Sequence, residues 1–187
     1  VIQWLRDERG FFEKSSECEK LASSVKSNGG VYVVPAFTGL GAPYWDMYAR
    51  GSIFGLTRGA NKGHITRACL EAIAYQTKDV LDAMVKDTNI SFSELKVDGG
   101  ASVNDILIQF QSDILNCGIR RPMIRETTAL GAAYLAGLSV GFWKDIDEIQ
   151  GHWRLDKVYT PNMTWETRKK LLENWHKAVE RASDWEK

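Results

Sequence analysis

Apolar residues along this chain follow two periods. Val31-Tyr32-Val33-Val34 is an unbroken β-branched and aromatic run closed by Pro35, which predicts a buried strand. Between His64 and Asp87, Ile65, Cys69, Ile73, Val80 and Met84 fall near one face at helical spacing, which predicts the longest helix. Gln76 lies on that face and is read as a buried amide with local partners. Leu95 and Val97 lead into Gly99-Gly100, and Ile106, Leu107, Phe110, Ile114 and Leu115 follow at helical spacing. That predicts a strand, a tight turn and a helix that starts at once, with Asn104 about one turn inside it.

Weaker patterns fill in the rest. Val1–Arg6 reads as the middle or end of a helix, and Glu17–Lys26 as another. Ser52–Leu56 reads as a short strand, and Ile119–Ile124 as a further one, with Pro122 marking an edge or a bulge. Thr127 or Thr128 is expected to cap a helix over Ala129–Leu138. The small residues Gly131, Ala132, Ala133, Ala136 and Gly137 suggest that another backbone packs close to it. Asp145–Gln150 reads as a short helix. A last helix begins near Thr164, with Leu171, Trp175, Ala178, Ala182 and Trp185 as its apolar stripe. Residues 36–51 hold glycines, a proline and several aromatics, so they form a structured loop, with an Asp46–Arg50 salt bridge expected inside it. Strands alternating with helices indicate a layered α/β domain.

Composition narrows the class. The chain has 187 residues, 44% of them hydrophobic, and a formal net charge of zero, which fits one globular domain with a sizeable core. The neutral balance argues against a nucleic-acid partner. Arg120-Arg121 reads as part of a solvated surface. No apolar run reaches transmembrane length, so no membrane span is expected. Cys18, Cys69 and Cys117 are odd in number and widely spaced, which suggests reduced, buried thiols and a cytoplasmic location. His64, His152 and His176 stand apart from one another, and no metal site is expected.

The candidate chemistry lies at the Gly-Gly turn. A helix start offers unpaired N–H groups and a partial positive charge, which suits a phosphate. Glycines let a ligand approach the backbone, and the Asn104 amide can donate and accept at the edge of a nucleobase. The same pattern also serves simply as a turn, so locally both readings stand. Elsewhere, Gly39-Leu40-Gly41-Ala42-Pro43-Tyr44 fails as a dinucleotide fingerprint, because Tyr44 stands where the third glycine belongs. Neither a Walker A sequence nor a GxSxG elbow occurs. Asp46, Glu71, Asp98, Asp113 and Glu126 are candidate carboxylates that spacing alone does not pair.

Longer stretches carry a resemblance. PAFTGLGAPYWDMYARGSIFGLTRG (residues 35–59) closely resembles glycerol kinases. KVDGGASVNDILIQFQSDIL (96–115) resembles the GG-x-x-x-N-x-x-x-x-Q signature of the wider FGGY carbohydrate kinases, here Gly99, Gly100, Asn104 and Gln109. Thr128–Ala133 and Gly141-Phe142-Trp143 extend the resemblance, which runs from Ile2 to about Pro161 and more loosely to Trp185.

That resemblance implies an actin-like ATPase (RNase H-like) domain with a mixed sheet and flanking helices. Residues 1–187 would form the C-terminal, nucleotide-side domain. By motif position, Gly100 would meet ATP through its backbone, Asn104 would reach the adenine, and Gln3 matches a nucleotide-contacting glutamine. Magnesium would accompany ATP, with no ligand assigned here. The family's catalytic aspartate, glycerol-binding residues and phosphate loop would lie in an N-terminal domain outside this sequence. No catalytic residue is therefore expected in this chain, and the piece alone should be inactive. The complete enzyme is expected to be a homo-oligomer that phosphorylates glycerol. The alternatives are another FGGY kinase acting on a polyol or ketopentose, or a non-catalytic actin-fold module.

Overall fold

The computed structural model describes all 187 residues. The chain opens with helix α1 (Ile2–Asp7), a 3₁₀ turn over Ser15–Glu17 and helix α2 (Cys18–Ala22). Helix α2 is shorter than its sequence suggests. The Ser23 and Ser24 hydroxyls donate to the carbonyls of Glu19 and Leu21 at 2.8 and 2.6 Å, a local alternative to further helix. Strands β1 (Tyr32–Val34) and β2 (Ser52–Phe54) pair antiparallel, with Val33 opposite Ile53.

Helix α3 (Lys62–Thr88) begins at Asn61, whose side chain accepts the N–H groups of Gly63 and His64. Its buried face runs through Cys69, Ala72, Tyr75 and Asp79, whereas Met84 is 55% exposed. Leu81 still packs against the core, but the stripe thins out beyond it, and Lys86–Thr88 are exposed. Gln76 is half-buried.

A mixed three-stranded sheet carries the second half. Strand β3 (Glu94–Lys96) runs parallel to β4 (Gly118–Pro122), and β5 (Leu155–Tyr159) runs antiparallel to β4. The β4–β5 register shifts between Arg121 and Pro122, where the proline cannot donate to the ladder. Helix α4 (Asp105–Leu115) follows β3 and packs against α3. The aromatic centre lies between α3, α4 and helix α7 (Trp165–Ala182). There Tyr75 stacks on Trp175 at 5.1 Å and meets Phe110 edge-on at 5.3 Å.

Helix α5 (Thr127–Ser139) differs from expectation. Glu126 precedes it without a side-chain cap, and Thr127 bonds instead to Asp98. Its small residues are not covered by another backbone: Ala132, Ala133 and Ala136 are exposed, and only Gly137 is closely approached, by the Trp143 ring. Asp145 caps the short helix α6 (Ile146–Gln150) by accepting the Glu148 N–H. Trp175, Ala178 and Ala182 of α7 are buried, but Trp185 lies beyond the helix and is exposed. Asp46 does not pair with Arg50. It accepts the N–H groups of Tyr48, Ala49 and Asp184, while Arg50 pairs with Glu186 near the C-terminus. All three cysteines are buried and unpaired, and no helix is long and apolar enough to cross a membrane.

Candidate functional site

Gly99 closes β3 at φ 77° and ψ 178°, a conformation that favours glycine. A 3₁₀ turn over Gly100–Val103 follows before α4 begins. The Gly99 N–H donates to the Arg125 carbonyl at 2.9 Å, and the Ser102 and Asn104 N–H groups fold back onto the carbonyls of Gly99 and Ala101. The N–H groups of Gly100 and Ala101, both exposed residues, find no acceptor in the protein. A Cβ placed on Gly100 would meet nothing within 4 Å, so the space above this backbone is open.

Asn104 is the N-cap of α4 and does not sit a turn inside the helix. The 3₁₀ turn uses up the intervening residues. Asn104 Oδ1 accepts the Leu107 N–H at 2.9 Å, and Nδ2 donates to Cys18 Sγ at 3.4 Å. The residue is 6% exposed. One Nδ2 hydrogen remains beyond these two bonds. The α4 start is also not the open anion site that its sequence suggests. A Glu19 carboxylate oxygen accepts the N–H groups of Asp105 and Ile106 at 2.9 and 3.3 Å.

Gln3, Gly100 and Asn104 line one cavity of about 620 Å³. Ile2, Leu70, Ile73 and Leu107 give it apolar wall, and Ser15, Ser16 and Glu19 add polar rim. Gln3 reaches it from α1, 97 residues before Gly100 in the sequence. A second cavity of about 640 Å³, between α5 and the segment 149–154, holds none of the three.

Arg121 supports the turn from beneath. It is 8% exposed, and its Nη1 donates to the Ser102 carbonyl and to Asp105 Oδ1, both at 2.9 Å. Its Nε donates to Asp156 Oδ2 at 2.7 Å. Asp105 also accepts Lys157 Nζ and the Tyr159 hydroxyl, each at 2.6 Å. Burial pulls the Asp105 carboxyl upward, but the hydrogen bonds from Lys157, Tyr159 and Arg121 outweigh it and hold the group at about 2. The solvated reading of Arg120-Arg121 is thus half right. Neighbours on a strand point to opposite faces, so one of the pair turns inward.

Among the candidate carboxylates, Glu71 and Asp113 line one further cavity, and each is already engaged in hydrogen bonds. Glu71 is bonded to Arg67 and Asn28, and Asp113 to Gln109 and the Asn162 N–H. Asp98 holds Thr127, and Asp46 organises its own loop. No group of three or more His, Cys, Asp or Glu side chains is placed to hold a metal ion.

The geometry has relatives. Residues 1–140 match the C-terminal domain of the FGGY family of carbohydrate kinases. The chain is 60% identical over 186 residues to a glycerol kinase of Janthinobacterium sp. (strain Marseille), covering 100% of this chain and 37% of that protein. It is 62% identical over 185 residues to a glycerol kinase of Fusobacterium nucleatum, covering 99% and 37%. Among solved structures, Plasmodium falciparum glycerol kinase with ADP superimposes at a TM-score of 0.86 with 39% identity, over 97% of this chain and 36% of that one. The ligand-bound xylulose kinase of Lactobacillus acidophilus follows at 0.78 and 28%, over 96% and 37%. The chain spans 37% of the length of the curated relatives it matches.

Proposed function

As the chain belongs to the FGGY family of carbohydrate kinases, we propose that it supplies the nucleotide side of a glycerol kinase. It has the actin-like α/β fold of those kinases. The reaction proposed for the complete enzyme is ATP plus glycerol giving ADP and glycerol 3-phosphate. One observation carries the reading: Gln3, 97 residues before Gly100, lines the same cavity as Gly100 and Asn104.

In this reading the apolar wall of Ile2, Leu70, Ile73 and Leu107 takes the adenine face. Gln3 and the remaining Asn104 hydrogen supply polar contacts at its edge. The Gly100 and Ala101 N–H groups are oriented donors for an anionic oxygen, held in place before the ligand arrives. Phosphoryl transfer depends on positioning and charge stabilisation rather than on covalent help from the protein. No group of three or more His, Cys, Asp or Glu side chains on this chain could hold magnesium, which would enter with ATP. The proton acceptor for the glycerol hydroxyl, the glycerol contacts and the phosphate loop are assigned to the part of the enzyme outside these residues. This span alone is then inactive. Three buried, unpaired thiols support a reducing compartment such as the cytoplasm.

The test is ADP release by the full-length protein against glycerol, xylulose and other polyols, beside ADP binding by Gly100→Val. Glycerol turnover and loss of ADP binding in the variant are expected. Turnover of a ketopentose without glycerol moves the enzyme to a sister kinase. Unchanged ADP binding by Gly100→Val removes the site.

A further inference from the structure

Glu19 lies on α2, 86 residues before the helix whose start it closes. One of its carboxylate oxygens accepts the N–H groups of Asp105 and Ile106. Asn104 covers the next two amides: its side chain takes the Leu107 N–H at 2.9 Å and its carbonyl takes Ile108 at 3.1 Å. The Ile108 bond is the first ordinary i→i−4 contact of the helix, so Glu19 and the Asn104 side chain together satisfy Asp105, Ile106 and Leu107, the amides of α4 that the helix itself leaves unpaired. A carboxylate is favoured at this position by charge-assisted hydrogen bonds and by the positive end of the helix dipole. Cys18, the residue before Glu19, accepts from Asn104, the residue before Asp105. Two successive residues of α2 thus hold two successive residues at the end of the Gly99–Asn104 turn.

Two consequences follow for a ligand in the adjoining cavity, which Glu19 itself lines. The N-terminus of α4 is closed to an anion, because a carboxylate already fills it. The exposed donors that remain are the Gly100 and Ala101 amides, on a turn tied to α2 at one end and to Arg121 beneath.

We propose that Glu19 is a positioning residue for the nucleotide. It fixes the glycine turn from α2 and, by occupying the α4 start, directs the ligand to the Gly100 and Ala101 amides. The proposal rests on the nucleotide reading above and assigns a role to a residue outside the glycine-turn motif.

The experiment measures ADP binding by titration calorimetry in the full-length protein and its Glu19→Ala, Glu19→Gln and Gly100→Val variants, with KM for ATP and for glycerol. Glu19→Ala is expected to weaken ADP about tenfold, the loss of two hydrogen bonds to a charged acceptor. Its ATP KM should rise while its glycerol KM stays unmoved, a split that general destabilisation would not produce. Glu19→Gln keeps an acceptor oxygen and is expected to stay within about threefold of the wild type. If Glu19→Ala binds ADP as tightly as wild type while Gly100→Val does not bind, Glu19 has no such role and the nucleotide reading stands. If Gly100→Val binds ADP unchanged, the reading falls and this proposal with it. Where Glu19→Ala does not fold, Glu19→Asp carries the test. Its shorter side chain withdraws the acceptor, and wild-type ADP affinity in that variant overturns the proposal.

Discussion

Asp79 Oδ2 accepts the indole N–H of Trp175 at 2.7 Å, across 96 residues of chain. The same oxygen accepts the Tyr44 hydroxyl at 2.7 Å, and Oδ1 lies 3.0 Å from His176 Nε2. One buried carboxylate in the middle of α3 therefore fastens both the loop of residues 36–51 and helix α7. Its hydrogen bond holds the His176 imidazole above its ordinary value, against the opposing effect of burial.

Asp79→Ala leaves the Trp175 and Tyr44 donors without their acceptor and should cost about 3–5 kcal/mol. Asp79→Asn retains one acceptor oxygen and should cost less, about 1–3 kcal/mol. Urea denaturation followed by tryptophan fluorescence reads both. The His176 contribution is present below its ordinary value of 6.5 and is lost as pH rises through the higher folded value. That dependence should vanish in Asp79→Asn.

Glu71 slopes the same way as His176, which is opposite to the usual carboxylate. Burial pushes its carboxyl from 4.5 up to about 7, against the Arg67 and Asn28 hydrogen bonds. The folded state keeps this proton to higher pH than the unfolded chain does. Stability from this group is therefore greatest below 4.5 and falls as pH rises toward 7, with no further change above. Glu71→Gln should flatten the profile of Tm against pH over that window, gaining about 2–4 °C on wild type at its upper end. Parallel profiles for the two proteins would show that Glu71 does not titrate there.

Asn104 has a cap to hold as well as a proposed ligand to meet, and two substitutions separate them. Asn104→Ala should lose about 1 kcal/mol of stability with the cap. Asn104→Ser restores a capping oxygen without the amide donor, so its Tm should approach wild type while ADP affinity stays reduced. Full ADP affinity in Asn104→Ser would confine the residue to capping.

Two glycines separate backbone strain from steric overlap. Gly10 has φ +60°, and a Cβ added there would meet nothing within 4 Å, so Gly10→Ala should cost about 1 kcal/mol. Gly55 has φ +79°, and a Cβ there would stand 2.0 Å from the Gly30 carbonyl oxygen. Gly55→Ala should therefore cost about 2–4 kcal/mol, the strain plus the displacement of packed backbone. Chemical denaturation of the two variants side by side checks the difference.

The legible parts of the site were those with a local signature. The glycine turn, the helix after it and the resemblance around Asn104 and Gln3 could all be read along the chain. Glu19 and Arg121 could not, because their partners lie 86 and 19 residues away and nothing in their own neighbourhoods marks them. The 3₁₀ turn that makes Asn104 a cap was also hidden, since Ala101-Ser102-Val103 carries no strong preference. Strand β5 escaped for a related reason. Four of its five residues are exposed, so backbone pairing with β4 defines it rather than an apolar pattern.

By itself the sequence determined the order of strands and helices apart from β5, the turn glycines and the likeness to carbohydrate kinases, because periodicity and side-chain-free bends act over a few residues. Only the tertiary structure decided which polar groups were already engaged. Closing the α4 start with Glu19, turning Arg121 under the glycine turn and joining Asp79 to Trp175 are matters of who meets whom in space. A buried hydrogen bond is strong only with a partner in place, and chain separation says nothing about where that partner will be.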